Sequence, residues 1–406
     1  MGQLQYAAMK LLYCWFVTIV IFYRYFLYRV GIGKRPNFTD RWPEVQRVYR
    51  QLTRMDPRIR LRGLEHFPGQ HPAVYAGNHI KFDDPFFVCY AVQEASNYTM
   101  RTRFVMRDDF FVGFPWNLLP FRMNEIAEMG GSYNISQGSP SLAQLKPLID
   151  ILLKLDSFVI FPAGGRSRSG LWFEYRDGME APGSMAFFLA QAQRKNPDVS
   201  VPAVPVGRTH NPVLGVSTVI LGEPLYLAPG ARRDGQRALD DNLILAISDL
   251  VEINMLHLLG GLIYLRCLHN LNVDVPRATL AEGVKAVLAT LSSERYTDPA
   301  FNTDFSGQLA CTLRYFQRHG MVRLVGDAVH CERDAVLAAP PVDVAYRRTN
   351  PVKYSANQIL HLADVIAALE NAALGISSLP ASKESPGATG RPEGFTRAKP
   401  RSPKTG

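Results

Sequence analysis

The residues Asn78-His79-Ile80-Lys81-Phe82-Asp83-Asp84-Pro85 hold the side-chain types that general-base chemistry needs. An aspartate five positions after a turn histidine can hold the imidazole. The carboxylate then fixes the ring tautomer and stabilises the cation formed when the ring takes a proton. That is half of a catalytic triad, and the nucleophile need not come from the protein if the substrate brings a hydroxyl. Taken alone, the spacing is a weak signal and fits a loop histidine capped by an aspartate at a helix start better.

A second stretch, Phe161-Pro162-Ala163-Gly164-Gly165-Arg166-Ser167-Arg168-Ser169-Gly170, has the composition of an anion site. Its glycines leave backbone amides open, its serines add donors, and two arginines can grip phosphate oxygens in pairs. The Gly-Lys-Ser/Thr ending of a nucleotide P-loop is absent. On its own it also fits a solvated turn in which Arg166 or Arg168 pairs with Glu174 or Asp177. Cys89, near the first stretch, reads as a small buried hydrophobe of a helix.

Both stretches follow short apolar runs, Ala73–Ala76 and Ser157–Phe161, and a third such run is Val201–Val206. These are expected to be buried strands, and Arg58–Arg62, which alternates at period two, a half-exposed one. Helical stretches around 85 to 95, 141 to 154 and 182 to 194 separate them, so the pattern is α/β. A further helix is expected over Pro43–Met55. Four regions follow: residues 1–35 as a membrane-interface anchor, 36–236 as the catalytic domain, 237–375 as a mostly helical C-terminal region that includes the apolar stretch Asn242–Leu265, and 376–406 as a disordered basic tail.

The chain has 406 residues, 47% hydrophobic and 20% charged, which excludes a mainly disordered, collagen-like or polytopic membrane protein. The net charge of +9 resides at the two ends, since residues 1–39 hold five basic side chains and no acid and residues 379–406 hold six basic and two acidic ones. The body is near neutral and no nucleic-acid motif stands out, so no nucleic-acid partner is expected. Five scattered cysteines without CxxC spacing indicate neither a disulfide framework nor a zinc site, and suggest a reducing compartment. Leu11–Tyr23 is too short for a comfortable span, but its aromatic residues and the flanking Lys10, Arg24, Arg29, Lys34 and Arg35 suit an interfacial helix. A tilted span and a core helix are the alternatives.

In their order, the two stretches resemble the blocks of the glycerolipid acyltransferase family: Asn-His-x4-Asp, a Gly-x-x-Phe/Ile-x-x-Arg block, Phe-Pro-Glu-Gly-x-Arg-Ser, and an apolar Val-Pro-Val strand. The doubled glycine and Arg166–Gly170 are most similar to the glycerol-3-phosphate acyltransferase branch. Looser similarity to that branch extends through Leu280–Val284 and Tyr354–His361. Two positions depart: Ala163 stands where the family has glutamate, and Met129–Ser136 lacks the second block's arginine.

The resemblance implies an acyltransferase-type αβ domain with a mixed, largely parallel sheet. It implies that His79 is the general base, Asp84 its orienting carboxylate, and that the acceptor hydroxyl attacks an acyl thioester directly. Lys81, Gly164, Gly165, Arg166, Ser167 and Arg168 would bind substrate, with Lys81, Arg122 or Arg208 as alternative grips on a phosphate. No metal and no cofactor are expected, since acyl-CoA or acyl carrier protein is the co-substrate. Glycerol 3-phosphate is the expected acceptor, 1-acylglycerol 3-phosphate or another glycerolipid head the alternative, and membrane lipid at the cytoplasmic face the expected partner. A non-catalytic lipid-binding protein on the same fold is the reading from another class.

Overall fold

A computed structural model describes residues 3–36, 59–69, 71–100, 102–108, 122–136, 142–174, 184–198, 200–339 and 346–375. The helix read over Pro43–Met55, Arg58 of the first strand, and the tail from 376 onward lie outside these residues.

The strands of the main sheet are β1 (Ile59–Arg62), β2 (Val74–Gly77), β3 (Thr102–Arg107), β4 (Ser132–Ile135), β5 (Ser157–Ile160), β6 (Pro202–Asn211), β7 (Val216–Leu221) and β8 (Leu225–Tyr226). They form one sheet in the order β1-β7-β6-β2-β5-β3-β4, with β8 also paired to β6. All pairs are parallel except β6 with β7 and β6 with β8, so the sheet is mixed and largely parallel, as the α/β alternation and the resemblance predict. Pro205 is tolerated inside β6 because its carbonyl side, which accepts from the Gly222 amide at 2.9 Å, faces the gap between the β7 and β8 pairings, where no ladder donor is lost.

Strand pleating sends alternate residues to two layers. On one face Val74, Ala76, Phe158 and Ala203 join a core with α4 (Leu142–Leu153), α5 (Ala186–Lys195), α6 (Arg233–Asp249) and α7 (Met255–Leu268). On the other, Tyr75, Val159, Val204 and Val206 pack with Phe87, Val88 and Cys89 of α2 (Asp84–Ala95). Cys89 is fully buried, and burial pushes its thiol up to about 12.

The C-terminal part adds α8 (Arg277–Thr290), α9 (Phe305–Arg318), α10 (Pro351–Asn357) and α11 (Ala363–Leu374) to the same core as the sheet's first face. It also holds a small antiparallel sheet of Asp274–Pro276, Val322–Val325 and Ala328–Cys331, which the helical reading of this region does not anticipate. The apolar stretch Asn242–Leu265 is divided: Asn254 and His257 form a reciprocal cap that starts α7 anew. Just before it, buried Glu252 accepts from Arg60 at 3.0 Å and Thr218 Oγ1 at 2.7 Å, fastening the break to β1 and β7. Gly261 lets α7 approach α11, since a Cβ there would lie 2.8 Å from the Leu369 side chain.

Near the N-terminus, α1 (Gln3–Arg29) exposes Leu12, Trp15, Phe16, Ile19, Tyr23 and Phe26, each 60% exposed or more, along one helical stripe. Its other side packs Tyr25, with Ile21 and Tyr28, against Ile126 and Met129 of α3 (Met123–Met129). The Tyr25 hydroxyl donates to Glu125 Oε2 at 3.0 Å and accepts from the Arg122 amide at 3.1 Å. No described helix is long and apolar enough to cross a membrane.

Candidate active site

Because β2, β5 and the first part of β6 are adjacent and parallel, their carboxyl ends lie side by side, and the site is built there. The loop after β2 carries Asn78–Asp83, the loop after β5 carries Phe161–Gly170, and β6 itself carries Arg208. Asn78 locks the first loop to β6: its Nδ2 donates to the Arg208 carbonyl at 2.9 Å and its Oδ1 accepts from the Arg208 amide at 2.7 Å.

His79 Nδ1 lies 2.6 Å from Asp84 Oδ2. That oxygen also accepts from the backbone amides of Ile80 at 2.6 Å and Lys81 at 2.8 Å, so the loop closes on the carboxylate it presents. The other oxygen, Oδ1, accepts from Arg208 Nη1, which also donates to Asp83 Oδ1 at 2.8 Å, while Arg208 Nη2 donates to Ser217 Oγ at 3.2 Å. The Arg208 guanidinium lies 3.6 Å over the Phe87 ring and is 1% exposed. Asp84 is wholly buried. Burial by itself would raise its carboxyl, but the Arg208 charge and the hydrogen bonds from His79 and the Lys81 amide outweigh it and hold the group below the usual carboxylate range. An ionised carboxylate only accepts, so His79 carries its proton on Nδ1 and leaves Nε2 as the basic nitrogen. Nε2 makes no hydrogen bond among the described residues, and the side chain is 18% exposed.

The second loop supports the first. Phe161 stacks on the His79 ring with centroids 4.4 Å apart and planes 19° apart, and the Ser167 amide donates to the His79 carbonyl at 2.7 Å. Ser167 itself is buried, and its Oγ accepts from the Gly170 amide at 3.1 Å. The Gly164 amide closes a turn on the Phe161 carbonyl at 2.9 Å, and Gly165 is half-buried beside it. Glu174 gathers the Arg168 amide at 2.6 Å and the Ser169 amide at 3.0 Å, so the acid meets this loop through backbone as well as side chain. Gly170 has φ +94, and a Cβ there would lie 2.3 Å from the Tyr354 carbonyl oxygen, so no larger residue fits against the C-terminal part. Arg166 is exposed and Arg168 half-buried.

His79, Asp84, Phe161 and Arg208 therefore form one constellation, with Lys81 and Ser167 attached to it through their backbone. Lys81 is half-buried, and desolvation, with Arg208 next, brings its ammonium down to about 8. Arg208, considered from the sequence as a grip on phosphate, is instead turned to Asp84. Arg122, considered likewise, pairs with Glu125 at 3.4 Å beside Tyr25. Ala163 is buried and brings no charge, and Tyr133 and Asn134 of β4 stand where a second-block arginine is absent. The sequence signal for Arg208 was its place two residues past the apolar run Val201–Val206, in line with the end of β2.

Compared with known proteins, residues 58–208 match the model of the family described as Acyltransferase. No curated protein matches the chain. Among solved structures, the chain is similar to the crystal structure of the 1-acyl-sn-glycerophosphate (LPA) acyltransferase PlsC from Thermotoga maritima, at 15% identity and a TM-score of 0.36, covering 61% of this chain and 98% of that one. At that level the likeness carries no argument about substrate. The matched residues 58–208 include His79, Asp84, the Phe161–Gly170 loop and Arg208.

Proposed function

We propose that the protein is an O-acyltransferase that moves a fatty acyl group from acyl-CoA or acyl carrier protein to glycerol 3-phosphate at a membrane surface. The observation that carries this reading is the 2.6 Å contact of His79 with Asp84, a buried carboxylate kept ionised by Arg208, which leaves Nε2 as a base open to a hydroxyl. Nε2 takes the proton of the acceptor hydroxyl as its oxygen bonds to the thioester carbonyl carbon. Collapse of that adduct breaks the carbon–sulfur bond, and the leaving thiolate takes the proton back from His79. The acceptor is itself the nucleophile, so no acyl-enzyme forms. Exposed Arg166, the side chain of Arg168 and the Gly165 amide face the acceptor phosphate in this reading, while Gly164 and Ser167 shape the loop.

The exposed apolar stripe of α1 supports attachment to lipid, where exposed Arg24 and Lys34 each contribute about 1 kcal/mol at an anionic surface, while Arg29 and Arg35 pair with Glu125 and Glu128 instead. The free thiols of Cys89, Cys267, Cys311 and Cys331 fit a reducing, cytoplasmic face. The same stripe favours 1-acylglycerol 3-phosphate as a second acceptor, because an acceptor that already carries an acyl chain arrives within the bilayer surface. Thiol release from palmitoyl-CoA on adding each acceptor tests the proposal. Release dependent on a glycerol-phosphate acceptor supports it, and binding of lipid without release with any acceptor supports the non-catalytic reading instead.

A further inference from the structure

The C-terminal part reaches the site directly. Arg347 Nη1 donates to the carbonyl of Ile80 at 3.1 Å, the Tyr346 amide donates to the Arg168 carbonyl at 2.8 Å, and Asn357 Nδ2 donates to the Ser169 carbonyl at 2.9 Å. Ile80 is the residue whose own amide holds Asp84, so Arg347 stands one residue from the catalytic histidine and next to Lys81. Three cations, Lys81, Arg208 and Arg347, meet here with two carboxylates, Asp83 and Asp84, and Arg208 occupies both carboxylates. Neither Lys81 nor Arg347 has a carboxylate within ion-pair distance among the described residues. Among the described residues the cations here outnumber the carboxylates, and the neighbouring titratable groups respond to that excess. His210 is driven down to about 3 by burial and then by Lys81 and Arg208, with Asp83 opposing and Arg347 adding to the effect, and Arg347 weighs on Lys81 in the same direction while Asp83 and Asp84 oppose it. Burying like charges together is unfavourable unless an anion joins them.

We infer that Lys81 and Arg347 together form a binding site for a phosphate monoester, one half supplied by the loop after β2 and the other by the C-terminal part of the chain. The inference rests on the acyl-transfer reading for the source of that phosphate, which is either the acceptor or the ribose phosphate of coenzyme A. It also gives the C-terminal part a role at the active site besides packing, and supplies a cation where the second block lacks its arginine.

The test uses the full chain on anionic vesicles, with palmitoyl-CoA as donor and glycerol 3-phosphate and 1-palmitoylglycerol 3-phosphate as acceptors. Removing a charge-assisted contact in Arg347→Gln raises one KM about 10- to 100-fold, with kcat changed by less than about twofold. A raised acceptor KM assigns the phosphate to the acceptor, and a raised donor KM assigns it to coenzyme A. Both outcomes support the site. Arg347→Lys, which keeps the charge, recovers much of the loss, and Arg348→Gln, an equal change of charge on the exposed neighbour, leaves both KM values unchanged. Unchanged KM values in Arg347→Gln overturn the inference, and so does a loss confined to kcat, which would mark Arg347 as a prop for the Ile80 carbonyl. A second arm needs no activity: millimolar inorganic phosphate raises the melting temperature of the wild type and not of Arg347→Gln. If that difference appears while no acceptor is acylated, the phosphate site stands and the acyl-transfer reading falls. If acylation proceeds and the two proteins respond alike to phosphate and acceptor, the reverse holds.

Discussion

Replacing Arg208 by methionine tests how the site keeps its carboxylate charged. In the wild type Arg208 joins Asp84, Asp83 and Ser217 from a position 1% exposed. Methionine preserves contact with the Phe87 ring but removes every donor. Asp83, whose side chain is 42% exposed, can turn to water. Asp84 is fully buried and cannot, so its Oδ1 is left without a partner. Removing one member of a buried pair costs about 3 to 5 kcal/mol, because the remaining charge is uncompensated. Urea unfolding of wild type, Arg208→Met, Asp84→Asn and the double variant measures this, and the two substitutions should couple by about 1 to 3 kcal/mol. The pH dependence has a definite sign. With its carboxyl depressed, wild-type Asp84 contributes stability above the unfolded carboxylate value of about 3.9, lost as pH falls through the lower folded value. Without Arg208 the largest influence is burial, which raises the carboxyl. The gap between wild type and variant therefore widens as pH rises from acid toward neutral, and the acidic limb of the activity profile moves to higher pH. A cost below about 1 kcal/mol, additive single changes or an unmoved acidic limb would refute the role given to Arg208.

Arg166→Ala should raise the acceptor KM by about tenfold to 150-fold and hardly affect the acyl donor, as measured by initial rates, if this exposed arginine meets the acceptor phosphate. Gly170→Ala forces a side chain to φ +94 and toward the Tyr354 carbonyl, and should cost about 1 to 3 kcal/mol or more in urea unfolding. On α1, Trp15→Ser with Phe16→Ser and Ile19→Ser should cut sedimentation with anionic vesicles at least about tenfold, since each buried apolar side chain contributes about 1.5 to 3 kcal/mol. These positions lie away from Tyr25, so the contact with Glu125 and Met129 is kept, which deletion of residues 1–35 would destroy.

The parts legible in the sequence were the local ones. Strand-length apolar runs, the glycine-rich loop and the five-residue spacing of His79 and Asp84 are written in consecutive residues, so the α/β pattern and the two candidate stretches could be read directly. Partners distant in the chain were not legible. Arg208 meets Asp84 across 124 positions and Arg347 meets Ile80 across 267, and no spacing rule announces either. Ser167 and Gly164 looked like anion donors by type, yet in the fold Ser167 Oγ and the Gly164 amide close turns, a use that composition does not distinguish from binding. The small antiparallel sheet was hidden because its strands are three or four residues long and lie amid helices. In α1 the exposed stripe followed from apolar composition, whereas the anchoring of its other side through Tyr25 depended on α3, more than ninety positions away.

The central claim is that His79 removes the acceptor proton. It is tested most directly by the kcat of His79→Ala for acyl transfer from palmitoyl-CoA, with melting temperature measured on the same sample. His79 lies in a loop and is partly exposed, so the variant should fold with little change in stability. General-base catalysis contributes about 100- to 10,000-fold, and kcat should fall by that factor. A folded His79→Ala that keeps more than about a tenth of wild-type turnover would contradict the account.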